Sequence, residues 1–528
     1  MSTNRRIFIK QIGLATIGAG FLASRTEKLY GAPAAKVILK RSSPEEQGIS
    51  SSGIMSFLDA VAKSKIEFHS IMVLRHGFVV AEGWWTPYAP ALKHTLYSLS
   101  KSFTSTAVGL AISEGHFKLD TPIVSFFPDK VPAEISPNLA AMTVQSLLTM
   151  STGHAKDSMP SLRTPGNNDW VKTFLSLPVE HAPGTHFVYN TGATYMLSAI
   201  VQKKTGKTLV EYLKPRLFDR LGIEDYDWEM SPEGINTGGY GLRVTTEDIA
   251  KFGQLYLQNG TWNNALLLPE TWVADATASH IDNGAGRKGP KETDDWAQGY
   301  GYQFWKCTHR AFRGDGAFGQ FCIVMPDQDA VVVITGESFN LQASIGLVWS
   351  DLLPAFKEGS LGLDTAADTK LKKRLKSLSI APPKVSDSSP TAARISAKQF
   401  VLEENDFKAK AVKFMFVEGT CLFSLTDDKG EHLVNCSTGK WMEDKNSKTQ
   451  LLFPMAGRPE VSTPIAASAT WNDPNTLMMT FRYTATAHSD NIICQFVDDK
   501  VTIKFLSSVS KGNPEAVEKR AELRGKIG

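Results

Sequence analysis

The chain has 528 residues, 42% of them hydrophobic and 21% charged, an ordinary globular composition with room for two or three domains. Its net charge of +3 is too small to argue for a nucleic-acid partner, and no run reaches the roughly 18–20 apolar residues of a membrane span. Five cysteines are few and odd in number, so at least one stays unpaired in a monomer; their spacing matches no zinc site, and neither metal nor cofactor is expected.

Residues 1–35 read as an export leader. Arg5-Arg6, a short Gly/Ala-rich apolar stretch from Ile12 to Ala23 and the small-x-small site Ala32-Pro33-Ala34 follow the order of a twin-arginine signal. Such a protein folds first and is then exported to the periplasm or outside the cell. Residues 36–357 mix strand and helix signals. Ile71–Leu74, a turn at His76-Gly77 and Phe78–Ala81 form a hairpin. A helix begins at Ser98, with Phe103, Ala107, Leu110 and Ala111 on its apolar side, and closes at Glu114-Gly115. Pro183-Gly184 turns the chain through Phe187 and Tyr189 into another amphipathic helix carrying Leu197, Ile200 and Val201. Phe321–Met325 and Ala330–Thr335 flank a polar turn as a late hairpin, and Leu347–Phe356 is helical. Strands early, helices in the middle and strands late predict an α+β fold, one antiparallel sheet packed with a helical region.

Composition shifts over 358–394, where a charged stretch at Lys370–Lys376 precedes a Pro/Ser-rich one; this reads as a linker with one short helix. Short strands between turns then fill 395–511, predicting an all-β barrel or sandwich. The strands expected are Val412–Val417, Cys421–Leu425, Leu477–Tyr483, Asn491–Phe496 and Val501–Leu506. Residues 512–528 read as a peripheral charged tail with a turn and a helix.

Gly314, Gly316 and Gly319 fall at the spacing of a dinucleotide-binding loop. That motif must open a helix, because a helix N-terminus supplies the N–H groups that bind phosphate. Here a hairpin follows, so the glycines serve another purpose. Ser98-Leu99-Ser100-Lys101 is the strongest chemical signal. Ser-x-x-Lys also occurs at Ser437–Lys440 and Ser508–Lys511, but those sit at turns or strand ends, whereas Ser98 opens a helix. At i and i+3 its hydroxyl and the Lys101 amine share one helix face. Burial and the helix N-terminus both disfavour a charged ammonium, which lowers the Lys101 pKa toward that of a useful base. The Ser98 N–H, in the first turn, is open to an oxyanion. Tyr189, at a helix entrance, is placed to shuttle a proton.

Together, Tyr97–Phe103, Phe187–Gly192, the stretch 241–260 and Gly314–Gln320 resemble the serine β-lactamase/penicillin-binding superfamily over roughly 40–357. The nearer resemblance is to its class C-like esterases and amidases, including 6-aminohexanoate-oligomer hydrolases. The resemblance implies Ser98 as nucleophile, Lys101 as its base and Tyr189 as the tyrosine of the second motif. That motif is usually Tyr-x-Asn; here Thr191 stands where the amide would, leaving Asn190 as a candidate for the substrate contact. Gly314-Asp315-Gly316-Ala317 looks like the third motif, with the Ala317 N–H as second oxyanion donor and Asp315 and Gly316 beside the substrate. The motif's lysine is missing, and Arg313 is one place off, which favours a neutral ester or amide over a β-lactam. Trp170, Tyr300, Tyr302 and Trp305 are candidate pocket aromatics. The expected partner is a small-molecule or oligomer ester or amide. Three alternatives stay open: a non-catalytic or slowly acylating penicillin-binding-like receptor, a true β-lactamase or D-peptidase, and acyl transfer to an amine or alcohol.

Overall fold

The computed structural model describes residues 38–287, 289–444, 464–512 and 517–528; the expected leader lies outside the described residues. The first domain is built on five principal strands: β1 (Glu67–Arg75), β2 (Phe78–Trp84), β3 (Phe312–Gly316), β4 (Gln320–Met325) and β5 (Ala330–Glu337). They lie in the order β2-β1-β5-β4-β3, with Lys40–Arg41 and Trp305–Lys306 completing a seven-stranded sheet at its two edges. Both expected hairpins are present, and the distant pair β1–β5 joins them, with Val332 opposite Val73.

The β-branched runs explain why this sheet is central. Alternate residues point to opposite faces. Val331 and Val333 enter the core under the helical region, whereas Val332 and Ile334 enter a second core on the other face. That second face is covered by α1 (Ser51–Ser64), through Phe57 and Val61. The helical region centres on α2 (Ser100–Ser113), α3 (Thr191–Thr205) and α4 (Thr246–Leu257). The sequence suggested a one-sided α2, yet every residue from Ser100 to Ala111 is buried. Its polar face is satisfied inside: Thr104 Oγ1 donates to Gly238 O at 2.8 Å, and Ser102 Oγ donates to Gln303 O at 2.9 Å. The helix runs through the middle of the domain and so fixes whatever stands at its N-terminus.

Two expectations are corrected. The short helix expected in the linker is α5 (Thr365–Lys376), but it belongs to the first domain. Its charges lie outside, while Leu371 and Leu375 at i and i+4 are buried with α1 and the sheet. Leu378, just beyond, packs so closely on Gly83 of β2 that a Cβ there would stand 2.6 Å from Leu378 Cδ1. The terminal stretch is not peripheral either, as the second domain shows.

That domain is a closed nine-stranded barrel: β6 (Gln399–Leu402), β7 (Ala411–Val417), β8 (Thr420–Asp427), β9 (Gly430–Thr438), β10 (Ile465–Asp473), β11 (Thr476–Tyr483), β12 (Ser489–Val497), β13 (Lys500–Ser507) and β14 (Leu523–Ile527). It closes where β9 and β10 pair in parallel, Ser437 opposite Ser468. Phe414, Phe423, Phe481, Phe496 and Trp471 fill the interior. β14 is the tail, and it lies between β6 and β13. Alternating charges disguised it: Leu523 and Gly525 face inward while Arg524 and Lys526 face solvent. All five cysteines are free and buried.

Without β14 the barrel has two open edges. Leu523 is 1% exposed in its core. Leu523→Ala is expected to cost about 2–5 kcal/mol of barrel stability, read as a lowered urea midpoint for alkylation of the buried barrel thiols Cys421, Cys436 and Cys494; an unchanged midpoint would mean that the tail is dispensable.

Candidate active site

Ser98 stands in a single 3-10 turn, Tyr97–Leu99, immediately ahead of α2. It is half-buried, whereas Lys101, one turn on, is 1% exposed. Lys101 Nζ lies 3.0 Å from Ser98 Oγ, 3.4 Å from Thr191 Oγ1 and 2.7 Å from the carbonyl oxygen of Gly239. A charged amine donates to the hydroxyl at that distance, and a neutral one accepts its proton. Burial pushes the Lys101 pKa down to about 7, with Asp157 and Asp315 nearby opposing the fall.

Gly239 was not singled out from the sequence. The paired glycines of Thr237-Gly238-Gly239 were the available signal. A Cβ on Gly239 would stand 2.7 Å from Thr191 Cγ2, and Gly238 has φ +65°. Only glycines let this backbone approach the amine closely enough to accept from it.

Tyr189 closes the other side. Its ring centroid is 4.9 Å from Lys101 Nζ, and its ring stacks on Trp305 at 5.5 Å and meets Tyr300 edge-on at 6.4 Å. Burial raises its phenol pKa strongly and the Asp315 charge adds to this, while a hydrogen bond with Ser98 opposes. The phenol therefore stays protonated at neutral pH, and Lys101 is the group that changes charge there.

The third segment is β3. Its glycines are needed for contact rather than for phosphate. A Cβ on Gly314 would stand 2.3 Å from Leu99 Cδ1, and one on Gly316 would stand 2.1 Å from Leu96 O. The strand is thus pressed against the turn that carries Ser98. Ala317 follows in the exposed loop to β4, and Gln320 braces that loop by donating to Ala317 O at 3.0 Å and Gly336 O at 2.9 Å. Gln320 is a second residue that sequence reasoning did not assign.

The remaining candidates are engaged in packing or pairing. Asn190 is fully buried and caps α3; its Oδ1 accepts from Ser158 Oγ at 2.7 Å and its Nδ2 donates to Thr152 Oγ1 at 3.3 Å. Its amide is spent on the fold, and half-buried Thr191 stands beside Lys101 instead. Trp170 packs edge-on to Tyr195 in the helical core at 5.1 Å, and Tyr302 stacks on His280 at 4.2 Å while accepting from Gln145. Both pack as structural aromatics. Asp315 is buried in an ion pair with Arg313 at 2.9 Å. Arg313 is fully enclosed, with its guanidinium 4.1 Å from the Trp296 ring centroid, and donates to Asp295 O at 2.8 Å. Burial raises the Asp315 carboxyl pKa and Arg313 holds it back. Ser98, Lys101, Tyr189, Thr191 and the β3 edge are the parts brought together.

The beta-lactamase family model matches residues 59–344, over half of the chain and all of these parts. The chain belongs to the beta-lactamase family. It is 25% identical over 283 residues to a 6-aminohexanoate-dimer hydrolase of Paenarthrobacter ureafaciens, covering 50% of this chain and 71% of that one. It is 23% identical over 192 residues to a beta-lactamase of Escherichia coli, covering 32% of this chain and 50% of that one. A lovastatin esterase of Penicillium rubens is 28% identical over 153 residues, 25% of this chain and 38% of its own length. Among solved structures, one from Bacillus anthracis, provisionally described as a 6-aminohexanoate-dimer hydrolase, superposes with a TM-score of 0.50 at 20% identity, over 62% of this chain and 90% of that one. The three sequence relatives are named as hydrolases, and this beta-lactamase-family chain carries a barrel besides the matched domain.

Gly316→Ala is expected to force β3 off the Ser98 turn and slow labelling of Ser98 by a fluorophosphonate about a hundredfold without unfolding the domain. Labelling at the unaltered rate by a folded variant would mean that β3 does not wall the site.

Proposed function

We propose that this protein is a serine hydrolase that cleaves an ester or amide through an acyl-Ser98 intermediate. The observation that carries this reading is the 3.0 Å contact between Ser98 Oγ and an amine whose pKa burial brings down to about 7. A serine hydroxyl needs a base at that distance to become a nucleophile.

Ser98 Oγ attacks the carbonyl carbon while its proton passes to Lys101. The resulting oxyanion is held by the N–H groups of Ser98 and Ala317, each donor supplying on the order of 3 kcal/mol. The proton then moves to the leaving alcohol or amine, through the Tyr189 phenol that adjoins both groups, and the C–O or C–N bond breaks. Water, losing its proton to the same amine, cleaves the acyl-serine and regenerates the hydroxyl.

Arg313 is paired with Asp315 and enclosed by tryptophans, so it does not stand as a cationic anchor for a substrate carboxylate. This supports a neutral ester or amide over a β-lactam or a D-alanyl peptide. The names of two relatives, a 6-aminohexanoate-dimer hydrolase and a lovastatin esterase, support an amide or an ester as the bond that is cut. With the leader over 1–35, such a hydrolase works in the periplasm or outside the cell.

Intact-mass detection of an acyl adduct after exposure to mixed esters and amides tests the reading, with the adduct expected on wild type and absent from Ser98→Ala. An adduct that survives the substitution would assign the nucleophile to another residue. Because only the neutral amine accepts the Ser98 proton, kcat/KM should rise with pH through about 7. A profile flat from pH 5 to 9 would remove Lys101 from the role.

A further inference from the structure

Two residues beside the candidate oxyanion donors hold a backbone conformation usual for glycine. Tyr97, just before Ser98, has φ +46°, and Phe318, just after Ala317, has φ +66°. Side chains make that region costly, and it persists only where the surroundings over-determine it. Both side chains end on the same imidazole. Tyr97 Oη lies 2.6 Å from His488 Nε2, Phe318 stands edge-on to the His488 ring at 4.6 Å, and Tyr97 and Phe318 meet edge-on at 5.2 Å.

His488 belongs to the barrel, in the turn between β11 and β12. That turn is sunk into the first domain, with Thr484, Ala485, Ala487 and His488 all buried. Thr95 N donates to Ala485 O at 3.0 Å, and Tyr88 Oη donates to Thr486 O at 3.3 Å. Arg482, near the base of the turn, pairs with Glu67 at 2.6 Å. The imidazole is oriented from behind: Nδ1 lies 2.6 Å from Glu337 Oε1 at the end of β5, and Ser508 Oγ donates to that oxygen at 2.5 Å.

We propose that the barrel completes the active site, with His488 as a positioning residue for the oxyanion hole. The two donors come from segments far apart in sequence, and one barrel side chain grips the neighbour of each. His488 acts through Tyr97 and Phe318, fixing their backbones so that the Ser98 and Ala317 N–H groups aim at one point. This rests on the reading of Ser98 as nucleophile, and it gives the barrel a role in catalysis rather than in binding a separate partner.

The test uses the full chain, with p-nitrophenyl butyrate for turnover and a fluorophosphonate for labelling. His488→Phe keeps a ring between Tyr97 and Phe318 but cannot hydrogen-bond; Tyr97→Phe removes only the hydroxyl; His488→Gln keeps a polar group near Nε2. His488→Phe and Tyr97→Phe should each lower kcat and the labelling rate about tenfold to a hundredfold with KM within twofold. The double variant should be no worse than either single one, because both remove one interaction. His488→Gln should recover part of the loss, and thermal unfolding shows which variants are folded. Wild type that neither turns over nor labels, or labelling that persists in Ser98→Ala, would defeat the nucleophile reading and take this proposal with it. With that reading intact, rates within twofold of wild type in folded Tyr97→Phe and His488→Phe, or independent losses in the double variant, would overturn the proposal alone.

Discussion

The site depends on one buried amine. Lys101 is 1% exposed, and its hydrogen-bond partners are neutral: a serine hydroxyl, a threonine hydroxyl and a glycine carbonyl. Water would hold a proton on such a group far better than this surrounding does. The native chain therefore releases the proton above about 7, whereas the unfolded chain keeps it up to about 10.5. The sign is unfavourable to folding. The penalty is full below pH 7 and shrinks as pH rises from about 7 to 10.5. A fold that buries lysine in this way spends stability to keep a base beside a hydroxyl.

Much of the architecture follows from holding that amine in place. A helix buried along its whole inner length brings Lys101 to the centre, and its preceding turn presents Ser98 at the edge of the packed region. Two close backbone approaches then enclose the pair. Gly239 comes from the loop before α4, and Gly314 and Gly316 come from β3. Each approach is possible only because a side chain is absent. The loop with G-x-G-x-x-G spacing is thus a matter of contact distance between a strand and a turn.

The parts legible in the sequence were those whose signal is local. Ser98 and Lys101 are three residues apart, and their context set them apart from two chance matches. The β-branched runs of β1, β4 and β5 announced their strands, and five barrel strands were placed from their own residues. Asn190 looked like a substrate amide because its neighbour is a tyrosine, but its partners, Ser158 and Thr152, are more than thirty residues away. The place of α5 in the first domain was hidden by its charges and by a partner, Gly83, that gives no sign of the pairing. β14 was hidden because five alternating residues weigh little until β6 and β13 lie on either side. Gly239, Gln320 and His488 act through contacts with distant backbone or side chains, and no local pattern reports such a contact.

The barrel fits the same logic. Its β11–β12 turn is buried in the first domain, so the two domains meet at the edge of the site. The account stands or falls on the charge of Lys101. The most direct measurement is an NMR titration of the lysine side chains in the intact protein, with the Lys101 signal identified by its loss in Lys101→Arg. The account predicts a midpoint near 7, the value that burial imposes. A midpoint near 10.5, that of an ordinary lysine, would contradict it.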